Sequence, residues 1–197
     1  MIPLVLLIAA GAFLYSRSSR ASGGTSSSPV GPTPPSEPDL ETGNPKYDRF
    51  NDLWAKYCPA YGVPVLWAKA FCLNESDMGD NPLVQAGELS EDGLSKGIMQ
   101  LTLETANDYE TVTLDDLNDP ETSIRIACKL IRDIRSAFEP SEPRYVEWCV
   151  KSYNRGIART RQERDLDPRG LAEPGFSNGE TYWARWQRNY SRLGGTL

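Results

Sequence analysis

Residues 17–45, RSSRASGGTSSSPVGPTPPSEPDLETGNP, set the first limit on what this chain can fold into. Serine, glycine and proline dominate and no apolar period runs through them, so the stretch cannot bury a core and reads as a disordered linker. At about 5–6 Å × √n its average reach is roughly 30 Å. It separates a short apolar segment, residues 1–16, from residues 46–197, which are enough for one domain with a real core.

Residues 2–15, IPLVLLIAAGAFLY, carry no charge. As a helix they span about 21 Å at ~1.5 Å per residue, short of a bilayer core of ~30 Å. A signal segment usually has Lys or Arg before its apolar run, whereas here Arg17 and Arg20 follow it. That order favours a retained membrane anchor meeting the lipid bilayer through residues 2–15. The alternative is a signal segment cut after Ser19-Arg20-Ala21.

The chain contains no histidine. Ser-His-Asp and Cys-His nucleophile systems are excluded in their usual form, and so are His-ligated zinc sites. Cys58, Cys72, Cys128 and Cys149 form no CxxC pair and sit among apolar residues, which reads as buried free thiols. DLDPRG at 165–170 echoes a calcium loop, but Arg169 stands where a ligand is needed, so it reads as a turn. The expectation is therefore no metal and no cofactor. The net charge of −6 argues against nucleic acid as a partner. Hydrolytic chemistry here has to run on carboxylates.

From residue 46 onward the periodicity is helical. Phe50, Leu53, Trp54, Tyr57, Cys58 and Tyr61 share one face, and Pro64 opens a helix that runs to Glu75. Asp119 followed by Pro120 is a helix start, with Ile124, Ala127, Cys128, Leu130, Ile131, Ile134 and Phe138 behind it. Further helices are expected over about 143–154 and through Tyr182, Trp183, Trp186, Tyr190 and Leu193. The loop from Asp77 to Ser95 has the composition of a short hairpin. The fold class is mostly α.

Four segments then fall in order: NES at 74–76, SKGIMQLTLETA at 95–106, LNDPETSI at 117–124 and SYNRG at 152–156. In this order they resemble the lytic transglycosylase domain of the soluble-transglycosylase and goose-type lysozyme group. That group shows a Glu-Ser pair, a Gly-Leu-Met-Gln-like motif with Thr-Ala, a D-P-x-x-N-I helix start and Ala-Tyr-Asn-x-Gly. The likeness covers about residues 50–190 and implies a lysozyme-like helical domain. It implies Glu75 as catalytic acid/base, with Ser76 beside it. Ser95, Gly97, Met99 and Gln100 match the motif lining the sugar cleft, and Tyr153 and Asn154 the pair facing the acid. Glu180, Thr181 and Tyr182 echo a closing Glu-Thr-x-x-Tyr element. Departures occur at Ser123, where the group has Asn, at Ala127, where it has Gly, and at Leu103, where Pro is common. The segment from Glu75 to Gly97 is longer than usual for the group.

Elementary electrostatics points the same way. A general acid must hold its proton near neutral pH, although a free Glu has a pKa of about 4.3. The partial negative charge at a helix C-terminus and desolvation by apolar walls both favour the neutral carboxyl. The resemblance implies a peptidoglycan lytic transglycosylase that cleaves between N-acetylmuramic acid and N-acetylglucosamine and yields 1,6-anhydro products, for wall remodelling or for phage entry or lysis. A goose-type hydrolase would need a second carboxylate, for which Asp77, Glu88, Glu91 and Asp92 are candidates. The third alternative is a non-catalytic glycan-binding tether. The expected location is a membrane-anchored domain, facing the periplasm in a bacterium or carried in a virion membrane if phage-encoded.

Overall fold

The computed structural model describes residues 40–167 and 181–197. The segments 1–16 and 17–39, with the anchor and most of the linker, lie outside the described residues, as do 168–170 of the expected turn and Glu180. Among the described residues no helix is long and apolar enough to cross a membrane.

The architecture is mostly helical, as expected. The chain runs through α1 (Pro45–Asp48), α2 (Asn51–Ala60), α3 (Val65–Ser76) and α4 (Pro82–Gln85). A hairpin of β1 (Ser95–Lys96) and β2 (Leu101–Thr102) follows, then α5 (Leu103–Asn107) and a 3-10 turn at Asp115–Asn118. The larger helices α6 (Pro120–Ser136), α7 (Tyr145–Arg155), α8 (Ile157–Leu166) and α9 (Tyr182–Arg192) complete it. The first predicted helix is broken at Arg49 and Phe50 into α1 and α2. The hairpin is antiparallel, with Ser95 opposite Thr102 and Lys96 opposite Leu101. It therefore spans the Gly97–Gln100 motif rather than the acidic loop before it.

Local chemistry explains the ends. The Asp119 carboxylate accepts from Thr122 N at 2.9 Å, satisfying an orphan donor at the start of α6. Thr181 does the same for Ala184 N at 3.1 Å in α9. α3 stops because Asp77 takes a left-handed conformation, φ 54°.

α3 is the central helix. Trp67, Ala68, Ala70, Phe71, Cys72 and Leu73 are all buried, so it has no solvent face of ordinary width. α9 lies against it, and Trp186, fully buried, joins the two. Its ring meets Trp67 edge-on with centroids 5.7 Å apart, lies 5.7 Å from Phe71 and stacks on Tyr190 at 4.9 Å. On the other side α2 and α6 close the core, with Cys58 and Cys128 side by side at 3.8 Å between sulfurs. All four cysteines are buried, and none is in a disulfide.

One polar residue inside α3 ties down the start of the domain. Lys69, fully buried, donates to the Leu40 carbonyl at 2.8 Å and lies 3.7 Å from Asp48. A buried ammonium survives only where such partners replace water.

Candidate functional site

Glu75 sits on the last turn of α3, partly exposed, with the left-handed residues Asp77, Met78 and Gly79 turning the chain away behind it. Burial pushes its carboxyl up to about 7, against the opposing pull of the Tyr182 hydroxyl and the Arg185 charge. The Tyr182 hydroxyl donates to Glu75 Oε1. Burial and the neighbouring Glu75 charge hold the Tyr182 phenol well above its ordinary range, so it remains a donor at every working pH. With Oε1 accepting from Tyr182, Oε2 is the oxygen that can carry the carboxyl proton.

Tyr182 stands 107 residues away in sequence and is placed by α9 packing on α3. Asn74 Nδ2 donates to the Tyr182 carbonyl at 3.2 Å, and Asn189 Nδ2 donates to Asn74 Oδ1 at 2.7 Å. All three residues are buried. The two asparagines thus lock the register of α9 on the helix that carries the acid. No local signal marks them, since asparagine in a helix is ordinarily solvated. Only the i, i+3, i+7 series Tyr182, Arg185, Asn189 hints that one polar face of α9 turns inward.

Ser76 does not reach outward. It is 1% exposed, and its hydroxyl donates to the Ile98 carbonyl at 2.7 Å while accepting from Gly79 N at 2.9 Å. It fastens the turn after Glu75 to the hairpin. Both sides of the hydroxyl are used within the protein, so Ser76 shapes the wall behind Glu75. Met99 is likewise fully buried. Its carbonyl accepts from the Tyr153 hydroxyl at 2.9 Å, and its N–H donates to Ser123 Oγ at 3.3 Å. Ser123, the departure from the expected Asn, is thereby a buried anchor for the hairpin turn.

Gly97 is required by close approach. Its φ is +76°, and a Cβ there would stand 1.9 Å from the Leu117 carbonyl oxygen. Gln100 also has positive φ, 47°, and its Nε2 donates to the Gly97 carbonyl at 2.8 Å. The amide that matched a sugar-lining position spends a donor on closing its own turn. Tyr153 stacks on Phe71 of α3, with centroids 4.5 Å apart, and burial, then the nearby Glu75 charge, raises its phenol well above the ordinary range. Asn154 is exposed beside it. Ser95 is 8% exposed at the start of β1.

The candidate second carboxylates separate cleanly. Asp77 is bound by Lys46 at 2.6 Å, and Asp80 beside it by Lys46 at 3.0 Å and Arg49 at 2.8 Å. These pairs pin α1 to the end of α3. Of the four, Asp92 is the one whose charge is felt at Glu75, raising it further after burial. Among the described residues no group of His, Cys, Asp or Glu could hold a metal ion. A surface depression of about 480 Å³ is lined by Glu142, Arg144, Trp148 and Arg164, not by Glu75. Its charges are paired with one another or with Glu147, which marks it as packing of α7 on α8.

Comparison with curated proteins gives no match. The family model for the transglycosylase SLT domain matches residues 52–172, which take in Glu75, the hairpin and Tyr153. Members of that family are peptidoglycan lytic transglycosylases, cleaving glycan strands as lyases. With that match over more than half of its length, the chain belongs to the transglycosylase SLT domain family.

Proposed function

We propose that Glu75 is the single acid/base of this peptidoglycan lytic transglycosylase and that the products are 1,6-anhydro-muramyl. The observation that carries the reading is the carboxyl at the end of α3, raised to about 7 by burial while Tyr182 holds its Oε1. Near neutral pH such a group is divided between acid and base forms, which suits a residue that must serve as both.

In the first step Glu75 Oε2–H protonates the oxygen bridging N-acetylmuramic acid to N-acetylglucosamine, and the C1–O bond breaks. In the second the carboxylate takes the proton of the C6 hydroxyl of the same muramic acid as O6 bonds to C1. The proton returns to Glu75, so no net acid is consumed. The Tyr182 hydroxyl steadies the carboxylate between the steps. Residues 1–16 as an anchor and 17–39 within the linker would hold the domain near a membrane bordering the wall, in a bacterial envelope or in a virion.

Mass spectrometry of muropeptides released from purified walls by the full chain tests this. Anhydro-muramyl ends, absent with Glu75→Gln, are the expected result. Reducing muramyl ends that vanish with Asp92→Asn would move the protein to the goose-type hydrolase reading. No cleavage by the wild type would leave the glycan-binding tether.

A further inference from the structure

Cys58 on α2 and Cys128 on α6 face each other in the core, fully buried, with their sulfurs 3.8 Å apart. The other two cysteines are placed differently. Cys72 lies against the Ile98 carbonyl and Ser76, and Cys149 against Tyr145. The register of α2 on α6 is held on both sides of the sulfur pair. Before it, Lys56 Nζ donates to Glu121 Oε1 at 2.7 Å, and the Tyr57 hydroxyl donates to the same oxygen. Beyond it, Arg135 donates to the Gly62 carbonyl. A disulfide needs its sulfurs about 2.05 Å apart, so each has to move by only ~0.9 Å, a distance that side-chain rotation covers.

We propose that this pair is a disulfide site, oxidised when the domain folds in an oxidising compartment and left as two thiols in a reducing one. One thiolate attacks a sulfur of a disulfide oxidant, such as oxidised glutathione or a thioredoxin-fold oxidase. A mixed disulfide forms and one oxidant thiol leaves. The second cysteine attacks the chain sulfur of that mixed disulfide, closes the Cys58–Cys128 bond and releases the second thiol. The two electrons pass to the oxidant, and the two cysteine protons end on its thiols. Because both sulfurs are sealed from solvent, the exchange belongs to the folding chain, before α2 closes on α6. The bond joins residues 70 positions apart, and the segment it closes carries Glu75 and the β1–β2 hairpin. Cross-linking removes loop-closure freedom from the unfolded chain across the acid and the hairpin together. The site stands whether or not Glu75 is the acid.

The test is cell-free synthesis of the full chain in mild detergent, with reduced glutathione alone or with oxidised glutathione and a disulfide isomerase. Thiols are then blocked with iodoacetamide under denaturing conditions, and the peptides are mapped by mass spectrometry without reduction. The expected product of the oxidising synthesis is a Cys58–Cys128 cross-linked peptide, with Cys72 and Cys149 carrying the alkyl label. Its Tm should exceed that of the reduced product by about 5–15 °C. Cys128→Ala, made in both mixtures, should show no such gap. Alkylated or glutathionylated Cys58 and Cys128 in the oxidising synthesis would overturn the inference, as would a different pairing. So would a Cys58–Cys128 bond that leaves Tm unchanged or lowers it, since the helices would then have to shift to accept it. None of these outcomes alters the anhydro-product test of Glu75.

Discussion

Replacing Glu75 by Gln should make the protein inactive and, at alkaline pH, more stable. The folded chain holds the Glu75 proton up to about pH 7, against an ordinary value of 4.5. Stability contributed by the neutral carboxyl is therefore complete below pH 4.5 and is lost as pH rises through 7. Each pKa unit corresponds to about 1.4 kcal/mol, so ionising the buried group costs about 2–3 kcal/mol once allowance is made for its partial exposure. The amide of Gln never ionises, and its oxygen still accepts from Tyr182. At pH 4 the two proteins should differ by a few tenths of a kcal/mol. By pH 8 the variant should be more stable by about 2–3 kcal/mol, which for a domain of this size raises Tm by roughly 5–10 °C. Urea unfolding of both proteins at half-unit steps from pH 4 to 8 measures the divergence directly. Parallel curves, or a variant that is the weaker at pH 8, would refute the view that burial holds this carboxyl neutral. The same data would then leave the acid role without its physical basis.

Tyr182→Phe removes the donor that favours the Glu75 carboxylate, so the alkaline limb of the pH–rate profile should move upward; an unmoved or lowered limb counts against the contact. Gly97→Ala forces a Cβ against the Leu117 carbonyl and should cost about 3 kcal/mol or more, read as a fall in Tm with the hairpin displaced. Tyr153→Phe loses the bond to the Met99 carbonyl and should cost about 1 kcal/mol of stability as well as turnover, whereas exposed Asn154→Ala should leave stability within about 0.5 kcal/mol and lower turnover alone. For the full chain expressed in a Gram-negative cell, the domain of a bacterial wall enzyme should face the periplasm and be digested when protease is added to spheroplasts, whereas for a phage-encoded protein destined for a virion membrane the arginines after the apolar segment should hold it inside and protected.

Much of the frame is written in short-range signals. Asp119-Pro120 starts α6 because an N-cap carboxylate and a preset φ act over three residues, and the apolar stripe behind it needs only the helical period. Glu75 at a helix end and the ordered set of motifs were legible for the same reason, each being a local pattern, whereas the hairpin was expected in 77–95 and lies instead around Gly97–Gln100. α8 was not legible: IARTRQERDL has one buried residue, Thr160, and no apolar face to reveal it. The break between α1 and α2 was also hidden, because Phe50 fits the period on either side.

What only the tertiary structure decided is which polar groups meet. Ser76 follows the acid in sequence, yet its hydroxyl belongs to Ile98 and Gly79. Tyr182, from the far end of the chain, holds the acid directly, and Asn74 and Asn189 fix the register that lets it. A hydrogen bond depends on distances of a few tenths of an ångström between residues a hundred positions apart. Those distances follow from how Trp186 packs among Trp67, Phe71 and Tyr190, a property of summed side-chain shapes that no local pattern encodes.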